Sequence, residues 1–385
     1  MLYLDYCATT PPLDEVVDTI ADVMKKHYGN PSSLHRFGLE AERLLGQARA
    51  VIAASLSAKP DEIILTSGGT ESNQLAIRGV AGQFAGRGNH LITSAVEHPS
   101  VLECFRALES EGFRVTVLPV DATGRVSVDE LREAVTSETI LVSLMHVNNE
   151  TGRIQPVEEA GELLRAYPRI VFHVDAVQSA GKLPLDPAAH GVDLLSVSAH
   201  KLRGPKGAGF LYRRRGLALK PLFVGGGQEF GLRSGTPNVP LAVGMAKAVR
   251  IAFERREHAA AHLGRLRRRL ARRIAGIPAL RLTLPEELDG MAPHMVHFLF
   301  PGTPAEAALH ALEQRGICIS SRSACSSGKP EPSRVLLAMG LTRELAESGL
   351  RVSFGEAHTE ADIDAAGDAI EQVAGAMARR KGGEA

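Results

Sequence analysis

The first two thirds of the chain alternate short apolar runs with helical patterns. The runs are rich in Val, Ile and Leu and are bounded by Gly, Pro, Asp or His, which is typical of buried strands. Helical patterning separates them at Pro99–Glu111, Val128–Val135 and Val157–Tyr167. Strand, helix, strand at this spacing predicts βαβ units and a mostly parallel sheet. The predicted strands are Ile63–Thr66, His90–Thr93, Arg114–Pro119, Thr139–Met145, Ile170–Asp175 and Leu194–Ser198.

The last third has a different pattern. A helical stretch runs from Pro240 to about Ile274, and after Pro278 short strands alternate with helices, which predicts an α+β arrangement. A chain of 385 residues has room for two domains. We therefore expect a large domain over 12–250 and a small domain over 251–385 that also includes 1–11. The strands predicted in the small domain are Met295–Phe300, Ile317–Ser320 and Leu350–Phe354.

Charge balance argues against two classes of partner. Lys plus Arg and Asp plus Glu both number 44, so the formal net charge is zero. Proteins that bind nucleic acid or membrane surfaces rely on surplus positive charge, so neither partner is expected. Arginines are concentrated between Arg265 and Arg273. A nucleic-acid patch and a solvated helix face both fit this run, and zero net charge favours the helix face.

The cysteines indicate a reduced, cytoplasmic protein. Cys7, Cys104, Cys318 and Cys325 form no CxxC pair, so neither a disulfide framework nor a zinc ribbon is expected, and we predict no metal site. The first residues, MLYLDYCATTPP, lack the basic and apolar regions of a signal peptide. No apolar run reaches the ~18 residues that a membrane span requires.

A glycine-containing segment, Ser67–Ser72, follows the first predicted strand of the sheet. Glycines, hydroxyl side chains and free amides at a helix start form an anion site, most often for phosphate. A simple helix cap is the structural alternative, since Ser and Thr favour that position. No Walker lysine follows the glycines, which argues against a nucleoside triphosphatase.

Two further groups end later strands. Asp175 ends one apolar strand and Lys201 follows another. A buried lysine has a lowered pKa and becomes a nucleophilic amine, although one isolated lysine is more often a salt-bridge partner. A phosphate cradle, a carboxylate and a reactive lysine at one sheet edge together suit pyridoxal 5'-phosphate, with the lysine bonded to the cofactor and the carboxylate at the ring nitrogen.

The chain resembles the NifS/IscS-type cysteine desulfurases, which have the class V aminotransferase fold, along nearly its whole length. The resemblance implies an α/β protein of the PLP-dependent transferase fold type I. Its large domain would contain a mostly parallel seven-stranded sheet, and its smaller C-terminal domain would be α+β. The segments that carry the resemblance are Tyr3–Pro11, Gly29–Gly38, Thr66–Asn73, Glu97–Val101, Met145–Gly152, His173–Lys182, Ser198–Gly207, Gly225–Thr236, Ser321–Gly328 and Leu350–Gly355.

The resemblance implies roles for individual positions. Lys201 would hold the cofactor covalently, and His98 would stack on its ring and move protons. Arg351 would fix the substrate carboxylate with Asn149, which also belongs to the cofactor site. Three of the positions in the predicted site also have a purely structural alternative. His98 could be a helix cap, Gln178 a hydrogen-bonded amide in the core, and Arg351 a surface ion-pair partner. The remaining cofactor ligands would be Gly69, Thr70, Asp175, Gln178, Ser198, His200 and, from a second subunit of a homodimer, Thr236.

Cys325 separates a desulfurase from its relatives. It lies in Ser321–Ser333, which is dominated by Ser, Gly and Pro and predicts a loop, where a cysteine is poorly buried. Arg322 and Lys329 would favour its thiolate, the nucleophilic form. The other three cysteines are interpreted as structural.

The function implied is conversion of L-cysteine to L-alanine, with sulfur passing as a persulfide on Cys325 to an acceptor protein for iron–sulfur cluster, thio-cofactor or tRNA synthesis. A selenocysteine lyase or another class V aminotransferase is the alternative, and a catalytically silent sulfur-assembly scaffold is a third. Several residues depart from the family pattern, including Arg322, Gln228, Phe230 and Glu356. Gly69, where alanine is usual, is expected to be a harmless change.

Overall fold

The structure is a computed structural model that describes residues 1–286, 288–321 and 331–382. Its helices are α1 (Asp14–Lys26), α2 (Arg36–Ser55), α3 (Gly69–Phe84), α4 (Pro99–Ser110), α5 (Val128–Ala134), α6 (Val157–Leu164), α7 (Val239–Ala275), α8 (Ala305–Glu313), α9 (Arg334–Ala338), α10 (Arg343–Glu347) and α11 (Glu360–Gly382). Its strands are β1 (Leu2–Tyr3), β2 (Ile63–Thr66), β3 (His90–Ser94), β4 (Arg114–Leu118), β5 (Thr139–Met145), β6 (Val171–Asp175), β7 (Leu194–Ser198), β8 (Gly209–Arg213), β9 (Arg281–Leu282), β10 (Met295–Leu299), β11 (Ile317–Cys318) and β12 (Gly349–Ser353).

Seven strands form the main sheet in the order β2-β8-β7-β6-β5-β3-β4. The pairs from β7 through β6, β5 and β3 to β4 are all parallel, and β8 is antiparallel to both of its neighbours. The predicted mostly parallel, seven-stranded α/β sheet is therefore confirmed. The sequence analysis assigned no strand to β8, because an antiparallel strand stands outside the βαβ alternation on which that analysis relied.

The arrangement of the strands determines where ligands can gather. Because β8 is antiparallel to both β2 and β7, the strand β2 runs in the same direction as the parallel set. The carboxyl ends of β2, β3, β5, β6 and β7 therefore meet at one edge of the sheet, which is where open α/β sheets bind ligands. Thr66, Ser94, Met145, Asp175 and Ser198 are the last residues of these strands.

The helix α7 spans two hydrophobic cores. Its first part, from Val239 to Val249, belongs to the core on one face of the main sheet. Its second part, from Ala259 to Ile274, packs in a separate core with β10, β12 and α11. The strands β12, β10 and β9 form an antiparallel sheet in that core. The domain division at 250/251 falls in α7 between these two stretches and stays a prediction.

The arginine run of α7 faces acidic residues of α11. Arg269 pairs with Glu360 and Asp364 at 2.9 and 2.7 Å, and Arg273 contacts Asp368 and Glu371. These two arginines form a row of ion pairs between α7 and α11. The contacts favour the interpretation of the arginine run as a helix face rather than as a nucleic-acid patch. None of the helices in the described ranges is long and apolar enough to cross a membrane.

Candidate active site

A cavity of about 720 Å³, partly open to solvent, lies at the carboxyl edge of the main sheet. It brings together every predicted cofactor or substrate residue except Thr236, together with seven residues to which the sequence analysis gave no role there. Cys325, the predicted sulfur carrier, and Arg322 lie outside the described residues. The predicted residues that line the cavity are Gly69, Thr70, His98, Asn149, Asp175, Gln178, Ser198, His200, Lys201 and Arg351, and the additional ones are Cys7, Ala8, Asn73, Ser100, Met145, Val147 and Val177.

Lys201 reaches the cavity from a single 3₁₀ turn, Ala199–Lys201, that follows β7. Its Nζ donates hydrogen bonds to the main-chain oxygens of Cys7 and Ala8, the latter at 2.8 Å. Both acceptors are neutral carbonyls of the N-terminal segment. The amine is therefore held at the cavity wall by that segment, in a position where it can meet a carbonyl group of a bound molecule.

Asp175 ends β6 and is buried. Its carboxylate accepts hydrogen bonds from Asn73 Nδ2 at 2.8 Å and from the Val177 amide at 3.0 Å. Asp175 is the only carboxylate among the described residues that line the cavity. It is placed to pair with a positive charge on a bound molecule.

Asn73 was missed as a site residue. It lies on the second turn of α3, four residues after Gly69, and its Nδ2 also donates to Ser100 Oγ at 2.9 Å. The asparagine is the last residue of the Thr66–Asn73 motif, and that position was the available signal. Its partner Asp175 is 102 residues away along the chain, so the contact depends on the sheet order.

His98 is the N-cap residue of α4 and also lines the cavity. Its Nδ1 accepts a hydrogen bond from the Ser100 amide at 3.1 Å. The neutral ring therefore carries its proton on Nε2. Burial and the positive charge of Lys201 lower the pKa of His98, although Asp175 opposes this shift. The helix-cap alternative is correct, and it coexists with a position in the cavity.

The predicted anion site corresponds to the start of α3. Gly68 precedes the helix with φ of +152°, a conformation that favours glycine, and α3 begins at Gly69. A Cβ atom at Gly69 would lie 2.7 Å from Val177 Cγ2, so the missing side chain is what opens this corner. Thr70 and Ser198 complete it. That glycine is a harmless replacement for the usual alanine at 69 stays a prediction; the structure shows only that a Cβ here would crowd Val177.

His200 stands beside the same corner. Its Nδ1 lies 3.1 Å from Thr9 Oγ1. Burial, assisted by the nearby lysine charges, lowers the pKa of His200 to about 4. Its ring is therefore neutral near pH 7 and can donate one hydrogen bond to an anion without adding a full charge.

Arg351 lies on β12 and is fully buried, so the surface ion-pair interpretation is wrong. Its Nη1 donates to the main-chain oxygen of Asn149 at 2.6 Å and its Nη2 pairs with Asp5 Oδ1 at 2.7 Å. Within the described ranges its Nε has no hydrogen-bond partner. A guanidinium in this state can still bind a carboxylate from the cavity.

Gln178 and Asp5 connect this side of the cavity to the N-terminal segment. Gln178 is buried and its Nε2 donates to the Cys7 oxygen at 3.0 Å. Sequence reasoning gave Asp5 no role, because its ion pair with Arg351 joins residues that are 346 apart along the chain.

Thr236 lies apart from this cavity. It lines a second pocket at the surface with Ser67, Arg233 and Gly235. Arg233 pairs with Glu71 at 2.9 Å, and Glu71 accepts the Ser67 amide. A role for Thr236 in the site of a second subunit stays a prediction.

The described residues on both sides of 322–330 contact the cavity wall. Ser320 forms two main-chain hydrogen bonds with Arg351, at 2.7 and 3.1 Å. Ser333 donates to Glu150 Oε2 at 2.5 Å, next to Asn149, and Arg334 donates to the Glu97 oxygen, next to His98. Ser320, Ser333 and Arg334 are therefore held by hydrogen bonds to residues that lie in or next to the cavity wall.

Comparisons with known proteins show the family and the fold of the chain. The family model of class-V aminotransferases matches residues 2–366. A curated relative from Clostridium botulinum (strain Hall), named cysteine desulfurase IscS, is 43% identical over 94% of this chain and 91% of its own length. A solved NifS-like protein is 38% identical with a TM-score of 0.90, covering 97% of this chain and 98% of its own. Another, titled SspA in complex with cysteine, is 36% identical with a TM-score of 0.81, covering 92% of this chain and 99% of its own.

These matches extend over nearly the whole chain, including the sheet edge and the strand that holds Arg351. They confirm the predicted resemblance to NifS/IscS proteins and the predicted fold. The chain belongs to the class-V aminotransferase family.

Proposed function

We propose that this protein is a PLP-dependent cysteine desulfurase, which converts L-cysteine to L-alanine and carries the sulfur on Cys325. The observation that carries the proposal is one cavity in which a lysine, a buried carboxylate and a buried arginine lie together. The names of the relatives support it, since several similar proteins are called cysteine desulfurases and one solved relative is described in complex with cysteine.

The residues of the cavity fit pyridoxal phosphate. Gly69 leaves a corner that a Cβ would fill, and the helix start, Thr70, Ser198 and neutral His200 would hold the phosphate. Asp175 would pair with the ring nitrogen, and Lys201 would form the covalent link. The cofactor, when bound, supplies an electron sink for the carbanion at the substrate α-carbon.

The protein's own groups then act on L-cysteine. Arg351, which lines the cavity, binds the α-carboxylate through its guanidinium group, and this contact orients the amino acid. The amine of Lys201, once free, takes the α-proton. His98, with a proton on Nε2, is placed to donate or accept protons at the same site. The carboxylate of Asp175 is held in place by its two hydrogen-bond donors, Asn73 and the Val177 amide.

Cys325 accepts the sulfur. Its thiolate attacks the substrate sulfur, one S–S bond forms and the substrate C–S bond breaks. The electron pair of that bond stays with the carbon skeleton, which takes up protons and leaves as L-alanine. The products are one persulfide and one alanine for each cysteine consumed, and no external oxidant is required. Ser320 and Ser333, which precede and follow Cys325 in the chain, form hydrogen bonds beside the cavity. These contacts support the proposal that Cys325 can approach the substrate sulfur.

The assembly and the partner belong to the proposal as well. We infer a homodimer in which Thr236 serves the site of the partner subunit, an acceptor protein for the persulfide sulfur, and a cytoplasmic location. Selenocysteine cleavage or another amino substrate would be alternative outcomes of the experiment below.

The proposal is tested by incubating the cofactor-loaded protein with L-cysteine and a thiol reductant and measuring sulfide and alanine. We expect equal amounts of both, and loss of both in Cys325→Ala. Cys104→Ala is the matched control, because Cys104 is buried in the core against the main sheet and should be dispensable. Equal product yields from Cys325→Ala and the wild type would disprove the persulfide step. Selenide from selenocysteine without sulfide from cysteine would favour a lyase.

A further inference from the structure

A second lysine lies beside Lys201 and has no place in the chemistry described so far. Lys182 follows β6 by a short loop, and its Nζ donates a hydrogen bond to the main-chain oxygen of Lys201 at 3.2 Å. Both lysines line a smaller cavity, separate from the active-site cavity, whose wall includes Tyr6 and Phe354. Lys182 is therefore bonded to the turn that presents the proposed reactive amine.

No carboxylate pairs with Lys182 among the described residues. Among the described residues that line the two cavities, the carboxylates are Asp175 in the active-site cavity and Glu356 in the smaller one. Asp5 is paired with Arg351 instead. Among the described residues that line the two cavities, lysine and arginine side chains therefore outnumber carboxylates. The titratable and charged groups that face them are Tyr6, Cys7, His98, Asp175, His200, Arg203, Arg255, His294, Arg351 and Glu356.

The environment of Lys182 also shows that the two amines repel each other. Burial lowers the pKa of Lys182 to about 8; Cys7 opposes this shift, and the charge of Lys201 adds to it. The interaction between two charges is mutual, so a protonated Lys182 must likewise oppose protonation of Lys201. Below pH 8 Lys182 is mostly charged, which is where this effect operates.

We propose that Lys182 is a positioning residue for Lys201: its ammonium group holds the main chain of the 3₁₀ turn and, as a second positive charge, favours the neutral amine of Lys201. This inference rests on the proposed function, in which the neutral amine of Lys201 bonds to the cofactor and removes a proton. Substitution of Lys182 by arginine, methionine or glutamine separates the two parts of its proposed role, which are the hydrogen bond to the turn and the positive charge. Arginine keeps the charge, glutamine keeps a donor without charge, and methionine keeps neither.

The test measures the amine itself rather than turnover. The full-length protein, freed of cofactor, is treated with formaldehyde and cyanoborohydride across neutral to alkaline pH. Methylation of Lys201 is then quantified by peptide mass spectrometry. In Lys182→Met we expect the midpoint of the Lys201 profile to move to higher pH by about one unit, as expected when a nearby charge in the protein interior is removed. Lys182→Arg, which stays charged over this pH range, should give a midpoint at or below the wild-type value.

Lys247→Met is the matched control, because Lys247 also donates to a main-chain oxygen, that of Glu15 at 2.8 Å, but lines neither cavity. If Lys182→Met does not fold, as judged by circular dichroism, Lys182→Gln takes its place with the same expected shift. An unshifted midpoint in a folded Met or Gln variant overturns the inference, and so does an Arg variant that behaves like Met. The readout needs no cofactor and no cysteine, so a failure of the proposed desulfurase activity would be seen separately.

Discussion

The two walls of the active-site cavity are built in different ways. The sheet-edge wall, formed by Asp175, His98, Ser198 and the start of α3, follows directly from strand ends and helix caps. Two of its hydrogen bonds, Asp175 with the Val177 amide and His98 with the Ser100 amide, join residues only two apart. The N-terminal wall, formed by Asp5, Cys7, Ala8 and Arg351, depends on contacts between distant parts of the chain, such as the Arg351–Asp5 pair across 346 residues.

This difference explains what each wall can contribute. The sheet-edge wall is held by strands and helices of the two cores that flank the main sheet, so its groups are fixed as soon as the sheet and its helices form. The N-terminal wall joins the first residues of the chain to β12 and to the Lys201 turn. It therefore forms only when the separate core that contains β12 is in place as well as the main sheet. We therefore expect substitutions in the sheet-edge wall to affect the chemical step, and those in the N-terminal wall to affect substrate binding.

The largest effect is expected from Asp175→Asn in the sheet-edge wall. The amide keeps the shape of the side chain but cannot stabilise a positive charge on the ring nitrogen. Removal of one such electrostatic contact costs on the order of 100-fold in rate. We expect at least this loss in sulfide and alanine formation, with the Michaelis constant for L-cysteine changed much less.

Asp193→Asn is the matched control for this prediction. Asp193 also accepts a main-chain amide, that of Phe172 at 2.8 Å, but it precedes β7 and so lies at the opposite edge of the sheet. It should retain nearly full activity. A wild-type rate for Asp175→Asn in a folded, cofactor-loaded protein would show that the sheet-edge wall does not control the chemical step.

The same contrast sets the limit of prediction from sequence. The strand ends that carry Asp175 and Ser198 were located correctly, because a short apolar run closed by a polar residue is a local pattern. The ion pair of Asp5 and the hydrogen bond from Asn73 to Asp175 were not foreseen, since each joins segments that only the folded topology brings together. Burial of Arg351 was missed for the same reason.

The helices and strands divide in the same way, into those marked by a local sequence pattern and one that depends on sheet order. The long helix α7 and the strands β2, β5 and β7 match their predicted bounds to within a residue, because apolar periodicity marks them. The antiparallel β8 was missed because its position between β2 and β7 is a matter of sheet order rather than of sequence pattern.

A middle-sized effect is expected from Arg351→Lys in the N-terminal wall. Lysine keeps the positive charge but not the planar set of donors, so the carboxylate contact is weakened. A hydrogen bond to a charged group contributes about 1.5–3 kcal/mol, so the Michaelis constant for L-cysteine should rise roughly 10- to 100-fold. The rate at saturating substrate should fall much less, because Asp175 and His98 are untouched.

Asp5→Asn tests whether the partner of Arg351 matters in the same way. It removes the ion pair but leaves the guanidinium, so the Michaelis constant should change less than in Arg351→Lys. Steady-state kinetics of the two variants side by side gives the answer. If Arg351→Lys lowered the maximal rate and left the Michaelis constant unchanged, the assignment of the N-terminal wall to substrate binding would be wrong.

The smallest effect is expected from Gly69→Ala, which tests local packing within the sheet-edge wall. A Cβ at this position would meet Val177 Cγ2 at 2.7 Å. The valine is held in place because its main-chain amide donates a hydrogen bond to Asp175. Overpacking of this kind costs about 1–3 kcal/mol. We expect the free energy of unfolding to fall by that order and pyridoxal phosphate to bind more weakly.

Val177→Ala removes the methyl group that a Cβ at position 69 would meet, so the double variant should recover most of the loss in stability and in cofactor binding. Urea unfolding and cofactor titration of the four proteins form a double-mutant cycle in which the coupling between 69 and 177 is the measured quantity. Additive losses would mean that glycine is required at 69 for its backbone rather than for the space beside Val177.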